Sequence, residues 1–385
     1  MSTVEITPQP TDALVVHSTA GSGDVQATPE LLAGVGYADE TTRSTTSVMV
    51  DHHYSAMTSH DPGIEVMPLA DALVTYPWVQ ELMFSLIDPE QDSVLRRAFE
   101  STHRPFGTFT WVHDGAKVEL PAQSFTVMTV PQERQFVHDI TVIGAGAEVS
   151  FVSGSAVSPN LTHGRHVSVS ETFIGAGAKV RSLEVERWGR HMNVRSYNRM
   201  RLERGAASSS VSVAVSGIDN HVSDSKVSVA EDAVCSSHSV VFAPEGTHRE
   251  IVSVIDLLGA GAQAEQVARM VSDGGDIRHL TTLAGRAPGS RGFLQCDGLM
   301  LRESGSIDSV PALIAATAQA QLSHEASVGM IDSERLGYLM ASGLGEDAAR
   351  DLIVQGFLDL DDQQIPVGLR DRVAELVSAA REAEL

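Results

Sequence analysis

The segment "IGAGAEVS" (Ile143–Ser150) returns as "IGAGAKVR" (Ile174–Arg181), and this repetition decides the fold class. Related segments begin with steps of 31, 28, 28, 27 and 28 residues along the chain, at Ile174, at Leu202 ("LERGAASSSVSV"), at Ala230 ("AEDAVCSSHSVV"), at Leu257 ("LLGAGAQAEQV") and at Gly285 ("GRAPGSRGFLQ"). Short alternating apolar and polar runs between these turns are typical of strands. A turn signal that returns at a fixed period between strands indicates a solenoid, and two or three strands per period favour a parallel β-helix.

The sequence divides into four predicted parts. Residues 1–60 are rich in Thr, Ser, Asp and Gly, so we expect a partly disordered or loosely attached arm. Residues 61–106 carry apolar side chains at helical spacing and predict a small helical segment. The parallel β-helix is predicted over 107–323, and three helical stretches predict a C-terminal helical domain over 324–385. The predicted fold class is therefore mainly β, a solenoid flanked by small helical domains.

Composition narrows the classes of partner. The formal net charge is −23, which argues against nucleic acid or an anionic membrane surface as the main partner. The N-terminus lacks a basic segment followed by an apolar one, and no apolar run approaches the length of a membrane span. Two cysteines in 385 residues do not form a disulfide framework, so we expect a cytoplasmic protein.

One repeat also fits a dinucleotide-binding fingerprint, with Gly259, Gly261 and Ala264 at the G-x-G-x-x-G/A positions. The same Gly-Ala punctuation at Gly144 and Gly175 precedes strand-like sequence, so a repeated turn is the favoured interpretation. No G-x-x-x-x-G-K-[ST] loop occurs in the sequence, and ATP binding of the P-loop kind is not expected of this chain.

Most histidines and one of the two cysteines have ordinary structural interpretations. Cys235 alternates with apolar neighbours and is expected to be a small buried side chain. The pair His52–His53 is expected to be exposed. The histidines of the repeat region are expected at strand surfaces or in loops, and they are His163, His166, His191, His221, His238, His248 and His279.

Cys296 differs from Cys235 because of its spacing to a second pair of polar residues. His324 follows it by 28 residues, which matches the solenoid period, and Glu325 comes next. Positions one period apart stack on adjacent coils, about 4.8 Å apart. Cys296, His324 and Glu325 are therefore expected to lie close together, and thiolate, imidazole and carboxylate groups are all ligands of iron. One cysteine is too few for a cluster, so a second chain or a transient site is implied.

Several segments resemble the SufB/SufD proteins of iron–sulfur cluster assembly. The most specific are "FLQCDGLML" and "VPALIAATAQAQLSHEASVGMIDSERLGYLMASGLGEDAARDLIVQGF" near the C-terminus. The resemblance continues upstream through "ERWGRHMNVRSYNRMRLERGA", "FTWVHDGAKVELPAQSF" and "MPLADALVTYPWVQELM". It covers roughly residues 30–360.

This resemblance implies a right-handed parallel β-helix and a cytosolic scaffold for a transient iron–sulfur cluster. It implies pairing with a second SufB/SufD-type subunit, here a second copy in a homodimer. It also implies binding of the ABC-type ATPase SufC through the C-terminal helices, so the chain itself is not expected to be an enzyme. A cysteine desulfurase or another sulfur donor is a further expected partner.

The family's cluster-assembly positions match individual residues of this sequence. The Cys of the "QCD" motif and the Glu of the "HEA" motif in SufB correspond to Cys296 and Glu325, and the His of the SufD "SHGAT" motif corresponds to His324. One position departs from the pattern, because Ser155 stands where larger SufB proteins carry a sulfur-receiving Cys. The resemblance therefore leaves the route of sulfur entry open and favours a simpler two-component system.

Two other functional classes remain open on the sequence. Parallel β-helices also host carbohydrate-active and acyl-transfer enzymes, although such lyases are often secreted. A SufD-like structural adaptor that recruits the ATPase without its own cluster is the other alternative.

Overall fold

The computed structural model describes residues 28–358, except for residues 132 and 162. In chain order, strands β1 to β19 are Thr45–Val50, His53–Ser59, Ile64–Pro68, Thr108–Val112, Ala122–Met128, Arg134–Ile143, Glu148–Val157, Gly164–Ile174, Lys179–Arg187, Met192–Leu202, Ala207–Ala214, Asn220–Val229, Val234–Pro244, His248–Leu257, Gln263–Asp273, Asp276–Gly285, Arg291–Met300, Ser306–Ala315 and Gln321–Met330. Helices α1 to α5 are Pro29–Ala33, Leu69–Thr75, Ser93–Glu100, Ser333–Ala341 and Glu346–Leu358.

The strands form a β-solenoid of about eight turns, which confirms the fold class predicted from the repeats. From β4 onwards, successive strands alternate between two sheets, one of ten strands that ends at β19 and one of nine strands that ends at β18. Neighbouring coils pair in parallel, for example β15 with β17 and β14 with β16. Each coil therefore contributes one strand to each sheet.

A left-handed backbone position recurs in the turn that leads from the nine-stranded to the ten-stranded sheet. It has φ +66° at Gly146, +68° at Gly177 and +68° at Gly261, and Asp232 occupies it with φ 55°. Side chains with a branched Cβ are disfavoured in this region, whereas Gly, Asn and Asp are tolerated. The segment that fits the dinucleotide fingerprint is thus one of these turns, and strand β15 follows it.

The interior of the solenoid is partly polar. The Arg249 guanidinium lies 3.6 Å from the Glu186 carboxylate of the opposite sheet, and Ser253 Oγ donates to Gln266 Oε1 at 3.1 Å. These contacts between the two sheets show which face of each strand points inward. On β11 the same face carries Ser210 and Ser212, in register with Ser182 and Glu184 of β9.

The outer face of the ten-stranded sheet carries a second hydrophobic core. Val213, Val240 and Val271 are buried there in one cluster with Leu32 of α1 and Val354 of α5. On the nine-stranded sheet, the predicted helical segment packs its apolar side chains against the outer face. The Glu171 carboxylate also accepts hydrogen bonds from the backbone nitrogens of Phe84 and Leu86, at 2.7 and 2.6 Å.

Two predicted boundaries differ from the structure. Within the expected loose arm, residues 45–50 and 53–59 form strands, because β1 is buried along its whole length and pairs in parallel with β5. Strand β19 continues to Met330, so His324 and Glu325 belong to the last coil rather than to the C-terminal helices. Residues 1–27 of the arm and the third predicted helical stretch lie outside the described residues. No helix in the described part of the chain is both long and apolar enough to cross a membrane.

Candidate functional site

Cys296 lies on the inner face of β17, one coil before β19, which is the last strand of its sheet among the described residues, and Cys296 is only 2% exposed. Its Sγ atom is 3.7 Å from Nδ1 of His279, which points inward from β16 in the opposite sheet. His279 is 1% exposed. Two strands of different sheets therefore bring a thiol and an imidazole into contact inside the solenoid.

Hydroxyl groups surround this pair. Thr281 Oγ1, two residues along the same inner face, lies 3.0 Å from Nε2 of His279. The same oxygen lies 3.4 Å from Nδ1, so it sits beside the imidazole ring and in line with neither ring nitrogen. Ser309, in register with His279 on β18, lies beside Cys296. Ser309 Oγ is buried and has no nitrogen or oxygen partner among the described residues.

Burial keeps both groups of the pair neutral at physiological pH. Desolvation raises the pKa of the Cys296 thiol, and the hydrogen bond from Ser309 offsets this only in part. Desolvation also lowers the pKa of His279 to about 4. A cation that entered the site would therefore meet an imidazole with a free lone pair and a thiol that must lose its proton.

Two glycines make room for the site on β17. A Cβ atom at Gly292 would lie 2.4 Å from Leu283 Cδ2, and one at Gly298 would lie 3.2 Å from Ile307 Cδ1. Side chains from the nine-stranded sheet thus fill the space on either side of Leu294 and Cys296. The small residues in the "GFLQCDG" run are explained by this close approach of the two sheets.

His324 and Glu325, the predicted neighbours of Cys296, are displaced from it along the strand by two residues and by one residue. Between β17 and β19, Cys296 pairs with Ala326, Leu294 with His324, and Gln295 with Glu325. The expectation that a separation of 28 residues stacks His324 on Cys296 is wrong, because the last coil has a step of 30 residues. The five residues 301–305 that join β17 to β18 account for this longer step, since only two residues join β15 to β16.

His324 and Glu325 consequently point to opposite sides of the last strand. His324 shares the inner face with Cys296, whereas Glu325 lies on the outer face; both residues are exposed. Within residues 28–358, no three His, Cys, Asp or Glu side chains are close enough to hold a metal ion. Sequence analysis missed His279, because a contact across the two sheets joins residues about half a coil apart and leaves no periodic signal.

Comparisons with known proteins identify the family. Residues 126–357 match the profile described as "SUF system FeS cluster assembly, SufBD core domain". The chain is 31% identical to an iron–sulfur cluster assembly SufBD family protein of Archaeoglobus fulgidus, over 93% of this chain and 96% of that protein. The chain belongs to the SufB/SufD family.

Two more distant relatives extend the comparison. A Methanothermobacter thermautotrophicus (strain Winter) protein, named as a SufBD family homolog, is 29% identical over 88% of this chain and 83% of its own length. The iron–sulfur cluster assembly protein SufB of Bacillus subtilis is 24% identical over 72% of this chain and 61% of its own length. The profile match over residues 126–357 includes the coils that carry His279 and Cys296.

Ser155, the departure from the SufB pattern, lies inside the solenoid. It is on β7, in register with Glu186 of β9, whose carboxylate reaches Arg249 across the interior. A hydroxyl at this position cannot carry sulfur as a persulfide. Cys235, on β13, is buried with its pKa raised to about 12 by desolvation, and it lies in the apolar cluster at the turn side of the interior.

The open end of this SufB/SufD-type solenoid presents apolar side chains. Strands β18 and β19 are the last strands of their sheets among the described residues, so each has an edge without a neighbouring strand there. Val310, Ile314, Val328 and Met330 are exposed on these two strands. An exposed strand edge with apolar side chains is a surface that favours pairing with another chain.

The C-terminal helices present a second apolar surface. Val354 of α5 is buried against the outer face of the ten-stranded sheet, and Arg350 Nη1 donates to the backbone oxygen of Leu301 at 3.2 Å. On the other side, Tyr338 is 74% exposed, and Met340, Leu344 and Leu352 are also exposed. The helices are thus attached to the solenoid by one side and keep apolar groups on the other.

Proposed function

We propose that this SufB/SufD-type chain is a scaffold subunit on which an iron–sulfur cluster is assembled or transferred. The observation that carries the proposal is the Cys296 thiol beside the His279 imidazole, one coil from an open end of the solenoid. Thiolate and imidazole are ligands that iron accepts in clusters. The cluster is cargo, held transiently, and the chain contributes ligands and shelter from solvent.

One chain supplies too few ligands for a stable cluster, so the proposed site includes a second SufB/SufD-type subunit. The apolar open end formed by β18 and β19 supports this arrangement, since docking there would cover Val310, Ile314, Val328 and Met330. His324 and Glu325 lie on the same last coil and would face the docked subunit. A homodimer would bring two Cys296 thiols and two sets of these polar ligands to one interface.

ATP hydrolysis is assigned in this proposal to a SufC-type partner, and the chain itself is not an enzyme. The apolar surface of α4 and α5, with Tyr338 at its centre, supports this docking position. Because α5 packs on the ten-stranded sheet next to Leu299 and Leu301, a pull on these helices would act on the coils that carry Cys296. Sulfur would come from a cysteine desulfurase or another donor by a route that does not use Ser155. The proposed location is the cytoplasm.

The test is anaerobic reconstitution of the full chain, purified with the ATPase, with iron and sulfide. Cys296→Ser and Glu325→Ala are expected to lose bound iron and sulfide while the fold and the complex are retained. Cys235→Ser is the matched control, because it removes the other buried thiol, and it should load like the parent. If Cys296→Ser holds as much iron and sulfide as the parent, the scaffold proposal is wrong, and an adaptor that recruits the ATPase becomes the better assignment.

A further inference from the structure

We infer that His279 is a metal ligand within the chain, so that Cys296 Sγ and His279 Nδ1 form a two-point binding site for a divalent cation before any partner docks. The inference rests on the proposed function only in taking iron as the physiological cation. Neither residue depends on a second subunit, because both lie on the inner faces of β16 and β17.

The separation of the two donor atoms fits a shared cation. Bonds of about 2.3 Å to sulfur and about 2.0 Å to nitrogen at a tetrahedral angle place the two donors about 3.6 Å apart. Sγ of Cys296 and Nδ1 of His279 are 3.7 Å apart. The strands therefore hold the donors at a separation that a metal ion could bridge with almost no change in backbone position.

Hydroxyl groups lie on either side of the pair. Thr281 Oγ1 is beside the imidazole ring of His279, 3.0 Å from Nε2 and 3.4 Å from Nδ1. The buried Ser309 Oγ, with no nitrogen or oxygen partner among the described residues, is a further polar atom beside the pair and could hold a metal-bound water.

Cys235 shows what a buried cysteine without these features looks like. Its thiol has only desolvation acting on its pKa, and it packs among Ala264, Leu294 and other apolar side chains. Cys296 also has apolar neighbours, including Met270 and Ile277, but its thiol faces an imidazole across the interior. The contrast between the two cysteines of one chain distinguishes a site from ordinary packing.

The probe is Co²⁺ added anaerobically to the full chain, in a Cys235→Ser background that leaves one thiol. On binding, Cys296 gives its proton to the buffer and no electrons are transferred. We expect a near-ultraviolet thiolate-to-cobalt absorption band and, by electron–nuclear double resonance, hyperfine coupling to one directly bound imidazole nitrogen. His279→Gln should lose the nitrogen coupling and bind Co²⁺ at least tenfold more weakly, and Cys296→Ser should lose the absorption band.

His166→Gln is the matched control, because it removes another buried, inward-facing histidine near the far end of the solenoid, and it should leave the cobalt spectrum unchanged. If the parent lacks the nitrogen coupling, or if His279→Gln keeps the parent's affinity, the inference is wrong. That result would leave the scaffold proposal intact, since the scaffold proposal depends on loss of iron and sulfide in Cys296→Ser.

Discussion

Ala326 lies directly above Cys296 in the parallel register of β19 on β17, and its small side chain is what the last coil places over the thiol. Ala326 is exposed, whereas Cys296 is 2% exposed. We therefore expect local opening of the last coil to control the reactivity of the Cys296 thiol, and a substitution at Ala326 to change it.

Ala326→Leu should slow alkylation of Cys296 about fivefold. A leucine on the inner face would cover part of Leu294 and stabilise the closed coil by about 1 kcal/mol. The rate is measured with a small thiol reagent in a Cys235→Ser background, so that one thiol is counted. Ser323→Leu, on the outer face of the same strand, should leave the rate unchanged. Equal rates for Ala326→Leu and the parent would show that Cys296 is reached by another path.

Ile314→Lys should weaken association of two SufB/SufD-type subunits at least tenfold, because it places a charge within the exposed apolar edge of β18. The measurement is the molar mass in solution over a dilution series. Val74→Lys, which changes a still more exposed apolar residue of α2, is the control and should have no effect. A parent that is monomeric at every concentration, alone and with its ATPase, would contradict the interface at the last coil.

The sequence predicted the solenoid but not the register at its last coil. The period could be predicted because each coil repeats the same left-handed turn, as at Gly146 and Gly177. The register could not be predicted, because it depends on the length of the connection at residues 301–305, and the equivalent connections of earlier coils vary from two to six residues. The observed step is two residues longer than the expected one. An even difference leaves His324 on the inner face with Cys296, whereas Glu325 points outward.

Val213→Asp should lower the free energy of unfolding by about 3–5 kcal/mol, because it buries a charge in the core on the outer face of the ten-stranded sheet. Urea unfolding followed by circular dichroism gives the value. Val234→Asp, on the neighbouring strand β13 at a residue 40% exposed, is the control and should change stability by less than about 0.5 kcal/mol. A fully stable Val213→Asp variant would mean that this face is not packed.

The same strand shows why the direction of the alternation could not be inferred from the sequence. In "SSSVSVAV" the valines and serines alternate, and alternation normally places apolar residues inward. Here Val211 and Val213 point outward into the core that includes Leu32 and Val354, whereas Ser210 and Ser212 face the interior. The inversion depends on distant segments that cover the sheet, and a local pattern contains no information about them.

Gly177→Val should lower the free energy of unfolding by about 2 kcal/mol, and Gly177→Asn by less than about 1 kcal/mol. A Cβ atom at Gly177 would meet nothing within 4 Å, so the cost comes from the backbone angle of +68° alone. Asp232 occupies the equivalent turn with φ 55°, which indicates that a short polar side chain is tolerated. Urea unfolding of both variants tests the order, and equal costs would contradict the assignment to conformational strain.

His166→Gln should reduce the decrease in the free energy of unfolding that accompanies a fall in pH from 7 to 5. Burial lowers the pKa of His166 to about 3, and its Nδ1 lies 2.8 Å from Gln135 Oε1. The unfolded chain takes up a proton at this residue below about pH 6.5, whereas the folded chain does not until about pH 3. The contribution of a neutral His166 is therefore fully present above pH 6.5 and is lost as the pH falls, by about 2 kcal/mol at pH 5.

Urea unfolding at pH 7 and pH 5 should show a decrease in the free energy of unfolding that is smaller by that amount in His166→Gln than in the parent. His163→Gln, which changes an exposed neighbour, should follow the parent. The same decrease in all three proteins would mean that His166 is protonated in the folded state.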